Sequence, residues 1–352
     1  MVSRRKILGA AAAGAAGVAI APRVMAQGKG PLRVSVWGGS WRDFVAESIG
    51  KRFTAETGVA VDYLTGGTID RLTRAQAAKD KPESDIIFTT SHVGWLYANS
   101  NLYEKLDLGR LANAKRLFAE AIISPSHVAL WSYVYTIGVR PDLVPAAAKI
   151  GSWADLWHPQ FKNMIGLPDF DPSHIIFAAT ILSGGKSPKD WTMGQKRLLE
   201  LRPNIRAHYA NDAASQQMIG DGTTPIQVML SGNAYHMMTQ GVKIDLLVPK
   251  EGAVLGLDTI GINRNSPHVD LAYRFINIAL DPVVQTEISN RQRMGPTVVE
   301  TRIDPKLAAL PGFFTTAEQW RRQSLIIDHQ QRAELLGDWR KWYIENIIAG
   351  TK

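Results

Sequence analysis

Asp258 is the side chain whose chemistry conflicts most with its neighbours. It interrupts the apolar run Val254 to Ile262 (VLGLDTIGI), which follows a shorter apolar run, Ile244 to Val248, and a Pro249–Gly252 turn. A carboxylate inside a strand is costly to bury unless a cation or hydrogen bonds compensate it. Two readings fit. Asp258 lies on a strand crossing between lobes and meets a cationic ligand in a cleft, or it is a turn-facing carboxylate with no ligand role. Trp37 and Trp41 bracket Gly38-Gly39-Ser40 between a strand and a helix. An indole there can pack beneath a loop or wall a cleft, where its face attracts alkylammonium groups. Gly66-Gly67-Thr68 repeats the device. Glycines admit close backbone approach, and free N–H groups at a helix start favour an anionic group, so Gly39 and Ser40 are candidate contacts. Ordinary capped turns explain the same residues. Trp131, Tyr133 and Tyr135 alternate along one strand and share a face, either core or cleft. Tyr235 and His236 begin a helix after a strand, placed equally for packing or for ligand contact.

Other chemistries find little support. The eight histidines show no HExxH or related metal-ligand spacing. Neither glycine turn is a dinucleotide or P-loop motif, and no GxSxG accompanies Ser183 or Ser231. Asp169 and Asp171 flank Phe170 closely enough for acid–base work, but loop aspartates commonly serve as caps. The sequence has no cysteine, which removes thiolate metal sites and cysteine nucleophiles. No catalytic constellation remains, and no cofactor is implied.

The elements that must position these residues read as α/β. A strand at Leu32–Trp37, a helix to about Glu56, a strand at Val59–Leu64, a helix over Ile69–Lys79, a strand at Asp85–Thr90 and a helix from His92 form three successive units. Such alternation builds a mostly parallel sheet flanked by helices. A second set follows, with strands at Leu130–Val139, Met164–Leu167, Ile205–Tyr209 and Ile226–Leu230. Ser152 is a plausible N-cap for the short helix after it. Pro267 to Leu280 is an amphipathic helix, and the tail from Thr316 to Ile348 reads as helical.

Residues 1–26 read as a removable leader: Arg4-Arg5 in a basic n-region, an apolar run from Ile7 to Ile20, and Val24-Met25-Ala26 before Gln27. The 14-residue run is shorter than a membrane span, and the paired arginines point to twin-arginine (Tat) export into the periplasm. The whole chain carries +8, and the leader holds four of those charges without an acid, leaving 8 − 4 = +4. That modest charge gives no case for nucleic acid. About 325 remaining residues exceed one comfortable core, so two lobes are expected.

With these residues in view, the sequence resembles the periplasmic solute-binding components of ABC importers, in particular the spermidine/putrescine-binding group. The resemblance rests on LRVSVW at 32–37, GSWADLW at 151–157, LRPNIRA at 201–207, VPKEG at 248–252, LDTIGIN at 257–263, LAYRFINIALDP at 271–282 and MGPT at 294–297. It implies a type II-like periplasmic-binding-protein fold with a ligand cleft between two α/β lobes. The lobes are expected over 31–133 plus 259–300 and over 134–258 plus 301–350. It also implies capture of a small-molecule solute by lobe closure, delivery to an inner-membrane ABC permease, and a monomer that passes through the Tat translocase. Trp37 then stands at an aromatic cleft position, Asp258 at the amine-holding carboxylate, Thr90 and His92 in a cleft-lining turn, and Asp171 at a further cleft carboxylate. The departures are His174 where a second carboxylate is expected, Gly256 and Leu230 where tryptophans are common, and Met294 in place of an aromatic. One firm carboxylate with fewer aromatic walls points to a single-amine solute, and an acidic group on it fits the glycine-rich helix starts. The alternatives are a binder of an aminophosphonate, another anion or ferric iron, and a periplasmic enzyme on the same scaffold.

Overall fold

The structure is a computed structural model that describes residues 30–145 and 149–349; the leader expected over 1–26 lies outside the described residues. Among the described residues, twelve strands share one mixed sheet: β1 (Leu32–Val36), β2 (Val61–Thr65), β3 (Ile86–Thr90), β4 (Ile122–Ser124), β5 (His127–Val139), β6 (Ile165–Pro168), β7 (Ile205–Tyr209), β8 (Ile226–Leu230), β9 (Asp245–Leu247), β10 (Ala253–Ile262), β11 (Gly295–Pro296) and β12 (Ser324–Leu325). The spatial order is β2-β1-β3-β10-β5-β8-β6-β7. Each end is parallel, β1 with β2 and β3, and β6 with β7 and β8. The middle is antiparallel, where β10 pairs with β3 and β5, and β5 pairs with β8.

The two long central strands explain why no linker is visible in the sequence. β5 runs 13 residues and β10 runs 10, and all ten residues of β10 are buried. At ~3.4 Å per residue β5 extends roughly 44 Å, enough to serve two cores. Val128, Leu130 and Trp131 pack into one core with Leu32, Phe88 and Phe275. Tyr135, Ile137 and Val139 pack into another with Trp153, Ile176 and Trp339. Their near-continuous Val, Ile, Leu and aromatic content suits strands covered on both faces.

The strand-to-helix turns fall where the sequence places them, with one correction in the tail. The expected helix over 316–348 is interrupted. Thr316 and Asp328 each cap a separate start, accepting from Gln319 N at 3.2 Å and Gln331 N at 2.8 Å. Between the helices Ala317–Gln323 and His329–Tyr343, the chain pairs as β12 against β10. Two N-caps twelve residues apart divide what periodicity alone joins.

Candidate functional site

A cavity of about 830 Å³ opens where β3, β5, β8 and β10 meet the starts of several helices. Its lining draws on residues packed against both cores, Trp37 and Trp41 from one side and Phe170 and Leu230 from the other. The starts of the helices Thr68–Ala77, Ser91–Asn99, Ser173–Leu182 and Asp212–Gly220 border it, as the carboxyl edges of open α/β sheets do.

At one end, Asp258 is 7 % exposed. It faces Trp131 across the sheet, and the β5–β10 register shifts immediately after it, leaving Leu130 unpaired. Such a bulge re-aims the neighbouring side chain. The MGPT segment supports it: Gly295 pairs with Ser132, and the Thr297 hydroxyl lies 3.0 and 3.1 Å from the carbonyls of Ala129 and Leu130, donating to one at a time. Trp131 Nε1–H donates to Asp258 Oδ2 at 2.7 Å, and the Tyr133 hydroxyl donates to Oδ1 at 3.3 Å. Both donors are neutral. Burial pushes the Asp258 carboxyl up to about 7; the two hydrogen bonds and the more distant Arg71 guanidinium oppose that shift without cancelling it. Trp41 stacks on Trp131 with centroids 5.5 Å apart and planes 10° apart. Trp37 Nε1–H donates to Thr68 Oγ1 at 2.8 Å, which fixes its indole beside the second glycine turn. Gly256 has a local explanation: a Cβ there would lie 2.0 Å from the Tyr133 ring, so the tyrosine fills the space a larger residue would take.

At the other end, Asp171 is compensated from within the chain. Arg332 Nη2–H donates to Asp171 Oδ2 at 2.6 Å, and Ser173 supplies its amide and hydroxyl to Oδ1. Burial alone would raise this carboxyl, but Arg332, followed by His174 and His92, holds it well below the usual carboxylate range. Burial likewise pushes the His174 imidazole down to about 3, and it lowers His92 well below its ordinary value with help from Arg332. With His174 neutral, its Nδ1–H donates to Asp171 O at 3.2 Å and its Nε2 accepts from Arg332 at 3.2 Å. Tyr135 stacks on the His174 ring at 3.8 Å. His92 Nε2 lies 3.6 Å from Asp171 Oδ2.

Of the residues singled out in the sequence, Trp37, Thr90, His92, Asp171, His174, Asp258 and Met294 line this cavity. Gly39, Ser40 and Tyr235 do not. Gly39 takes a positive φ of 63° to turn the chain into its helix, and both turn residues are exposed outside the lining. Gly67 and Thr68 of the second glycine turn stand there instead. Tyr235 is buried against Phe313, its hydroxyl donating to Pro311 O at 2.7 Å. A helix start leaves open which of its side chains turns inward.

Several lining residues escaped sequence reasoning. Asp212 opens its helix directly after the N-cap Asn211 and so looks like an ordinary first-turn acid, yet it lines the cavity. Asn233 Nδ2–H donates to it at 2.9 Å, and burial raises its carboxyl. Arg332, Leu336 and Arg340 also line the cavity, one above another on the helix His329–Tyr343. Their i, i+4, i+8 spacing was the available signal. The single-amine expectation rested on a lost second carboxylate, and Asp212 supplies one elsewhere on the wall.

With the geometry in place, the chain can be set beside known proteins. The family described as "Bacterial extracellular solute-binding protein" matches residues 48–315. The chain is similar to the spermidine/putrescine-binding periplasmic protein of Salmonella typhimurium, 26% identical over 263 residues, covering 71% of this chain and 74% of that one. Among solved structures, an ABC transporter from Clostridium perfringens aligns with a TM-score of 0.78 at 24% identity, covering 90% of this chain and 99% of that one. A GABA receptor aligns at 0.76 and 22%, covering 89% and 96%. These structures establish the two-lobed periplasmic-binding-protein fold, with the cavity at the junction of its two cores.

Proposed function

We propose that this chain, which belongs to the bacterial extracellular solute-binding protein family, captures a small amine-bearing solute in the cavity and presents it to an inner-membrane ABC permease. The observation that carries the reading is Asp258, a buried carboxylate at the cavity wall whose hydrogen-bond partners are both uncharged. Such a group favours an arriving cation, because ion pairing replaces the solvation it has lost. An ammonium against Asp258, walled by Tyr133 and the Trp37 and Trp41 indoles, would gain aromatic-face attraction as well. Asp212 offers a second acceptor across the same space. The polyamine-binding relative supports the class of solute. Contacts to both sides of the junction would then form together only on closure, so binding shifts an open–closed equilibrium.

Export through the Tat route into the periplasm goes with this proposal, as does the lobe division expected from sequence, 31–133 plus 259–300 against 134–258 plus 301–350. The two separate cores, each drawing on a different half of β5, support that division. A second reading, a zwitterion carrying one amine and one acidic group, is favoured by the buried Nε–H groups of Arg332 and Arg340, which lack partners. Calorimetric titration with putrescine, butylamine and 4-aminobutyrate separates the readings. Binding of either amine that is lost in Asp258→Asn supports the first, and binding confined to 4-aminobutyrate supports the second.

A further inference from the structure

The Asp171–Arg332 pair joins residues 161 apart in sequence at a cavity wall. Arg332 is 2 % exposed, which is uncommon for arginine without a fixed counter-charge. Its position is set from outside the cavity. Asp328 caps the first turn of the helix that carries it, and Ser91 Oγ meets His329 Nδ1 at 2.9 Å. The guanidinium therefore reaches Asp171 as part of the scaffold, and a carboxylate otherwise free to hold a solute's ammonium already holds a cation.

We infer that Arg332 is a tethered cation occupying the ammonium position at Asp171, and that it sets how long a cationic solute this cavity accepts. The inference rests on the amine reading above. Asp258 and Asp212 have neutral donors and repel one another, so they remain to be satisfied by a ligand cation. Asp171 does not. The two ends are linked through Tyr133, which donates to Asp258, and Tyr135, which stacks on His174. Along a strand that i, i+2 step is roughly 7 Å. Asp258 and Asp212 line the same cavity and act on one another electrostatically, so these two carboxylates are the ones left to hold a short amine or diamine. A triamine carries one more ammonium than these two carboxylates can hold, and against Arg332 on the same wall one of the two cations must go uncompensated in a desolvated site.

The test is calorimetric titration of the parent, Arg332→Gln and Asp258→Asn proteins with putrescine, spermidine and 4-aminobutyrate. Putrescine should bind the parent at least tenfold more tightly than spermidine. Arg332→Gln should strengthen spermidine binding at least tenfold and so close that gap, and Asp258→Asn should weaken both. Spermidine affinity unchanged or weakened in Arg332→Gln overturns the inference, as does a selective loss of 4-aminobutyrate, which would make Arg332 an anion subsite. If Arg332→Gln does not fold, Asp171→Asn serves: the uncompensated guanidinium should weaken putrescine and strengthen 4-aminobutyrate, and an unaltered ranking overturns the inference. Amine binding that depends on Asp258 but ignores both wall variants sinks this inference alone. No amine binding by the parent sinks the amine reading and this inference with it.

Discussion

Asp258 and Asp171 line one cavity, the first buried and the second nearly so, in opposite electrostatic situations. Asp258 has an indole N–H and a phenol for company, and its carboxyl is pushed up to about 7. Asp171 has a guanidinium at 2.6 Å, and its carboxyl is held well below the ordinary range. The residue type is the same; the donor set differs. A buried carboxylate with neutral donors is an acceptor in waiting, whereas one with an internal cation is part of the wall.

The largest expected effect comes from breaking the compensated end. Arg332→Gln leaves the largely desolvated Asp171 carboxylate without its cation and should destabilise the fold by about 3 kcal/mol. Asp171→Asn combined with it should recover most of that loss, as thermal or urea melts will show. If Asp171 were solvated in practice, the single change would cost little and the contrast between the two ends would disappear. At the uncompensated end, Asp258→Ala should weaken amine binding at least tenfold, about 1.4 kcal/mol or more, with a melting temperature near the parent's.

The same contrast has a pH signature. Asp258 titrates higher in the fold than in the unfolded chain, where carboxylates titrate near ~3.9. The protonated form is therefore favoured by folding. That contribution is complete below the unfolded value and is lost as pH rises towards about 7. Without ligand, Asp258→Asn should gain stability relative to the parent across that window. Amine binding runs the other way, since the cation requires ionised Asp258: affinity should fall about tenfold per pH unit below 7 in the parent. Asp171, already ionised well below that window, adds no slope there. A smaller effect is expected at the wall. Trp37→Phe keeps an aromatic face but loses the bond to Thr68, and should weaken amine binding by about threefold, roughly the value of one neutral hydrogen bond.

The anomaly at Asp258 was legible in the sequence and the pairing of Asp171 with Arg332 was not, for a physical reason. Asp258 interrupts an apolar strand, so local pattern alone marks it as anomalous. The β-strand and helix-start alternation likewise identifies the carboxyl edge where Thr90 and His92 stand. Arg332 sits on a helix whose surface carries several other charges, and its i, i+4, i+8 spacing with Leu336 and Arg340 marks a shared face without telling a buried arginine from a solvated one. Its partner lies on a loop after β6, a contact that only the tertiary fold creates. Asp212 was hidden in another way, because an acid at a helix start is ordinary there. Tyr235 was ambiguous in the opposite direction. Its place after a strand suited packing or ligand contact equally, and its ring packs into the core with Phe313.

Proton release on binding tests the central claim most directly. Putrescine, butylamine and 4-aminobutyrate are titrated calorimetrically at pH 6 in phosphate and in bis-tris, whose ionisation heats differ. If an amine ionises Asp258, binding releases close to one proton (about 0.9 for a carboxyl at about 7), and the observed heat differs between buffers accordingly. Asp258→Asn should abolish that difference. A parent protein that binds an amine with the same heat in both buffers, or that binds none of the three compounds, contradicts the account.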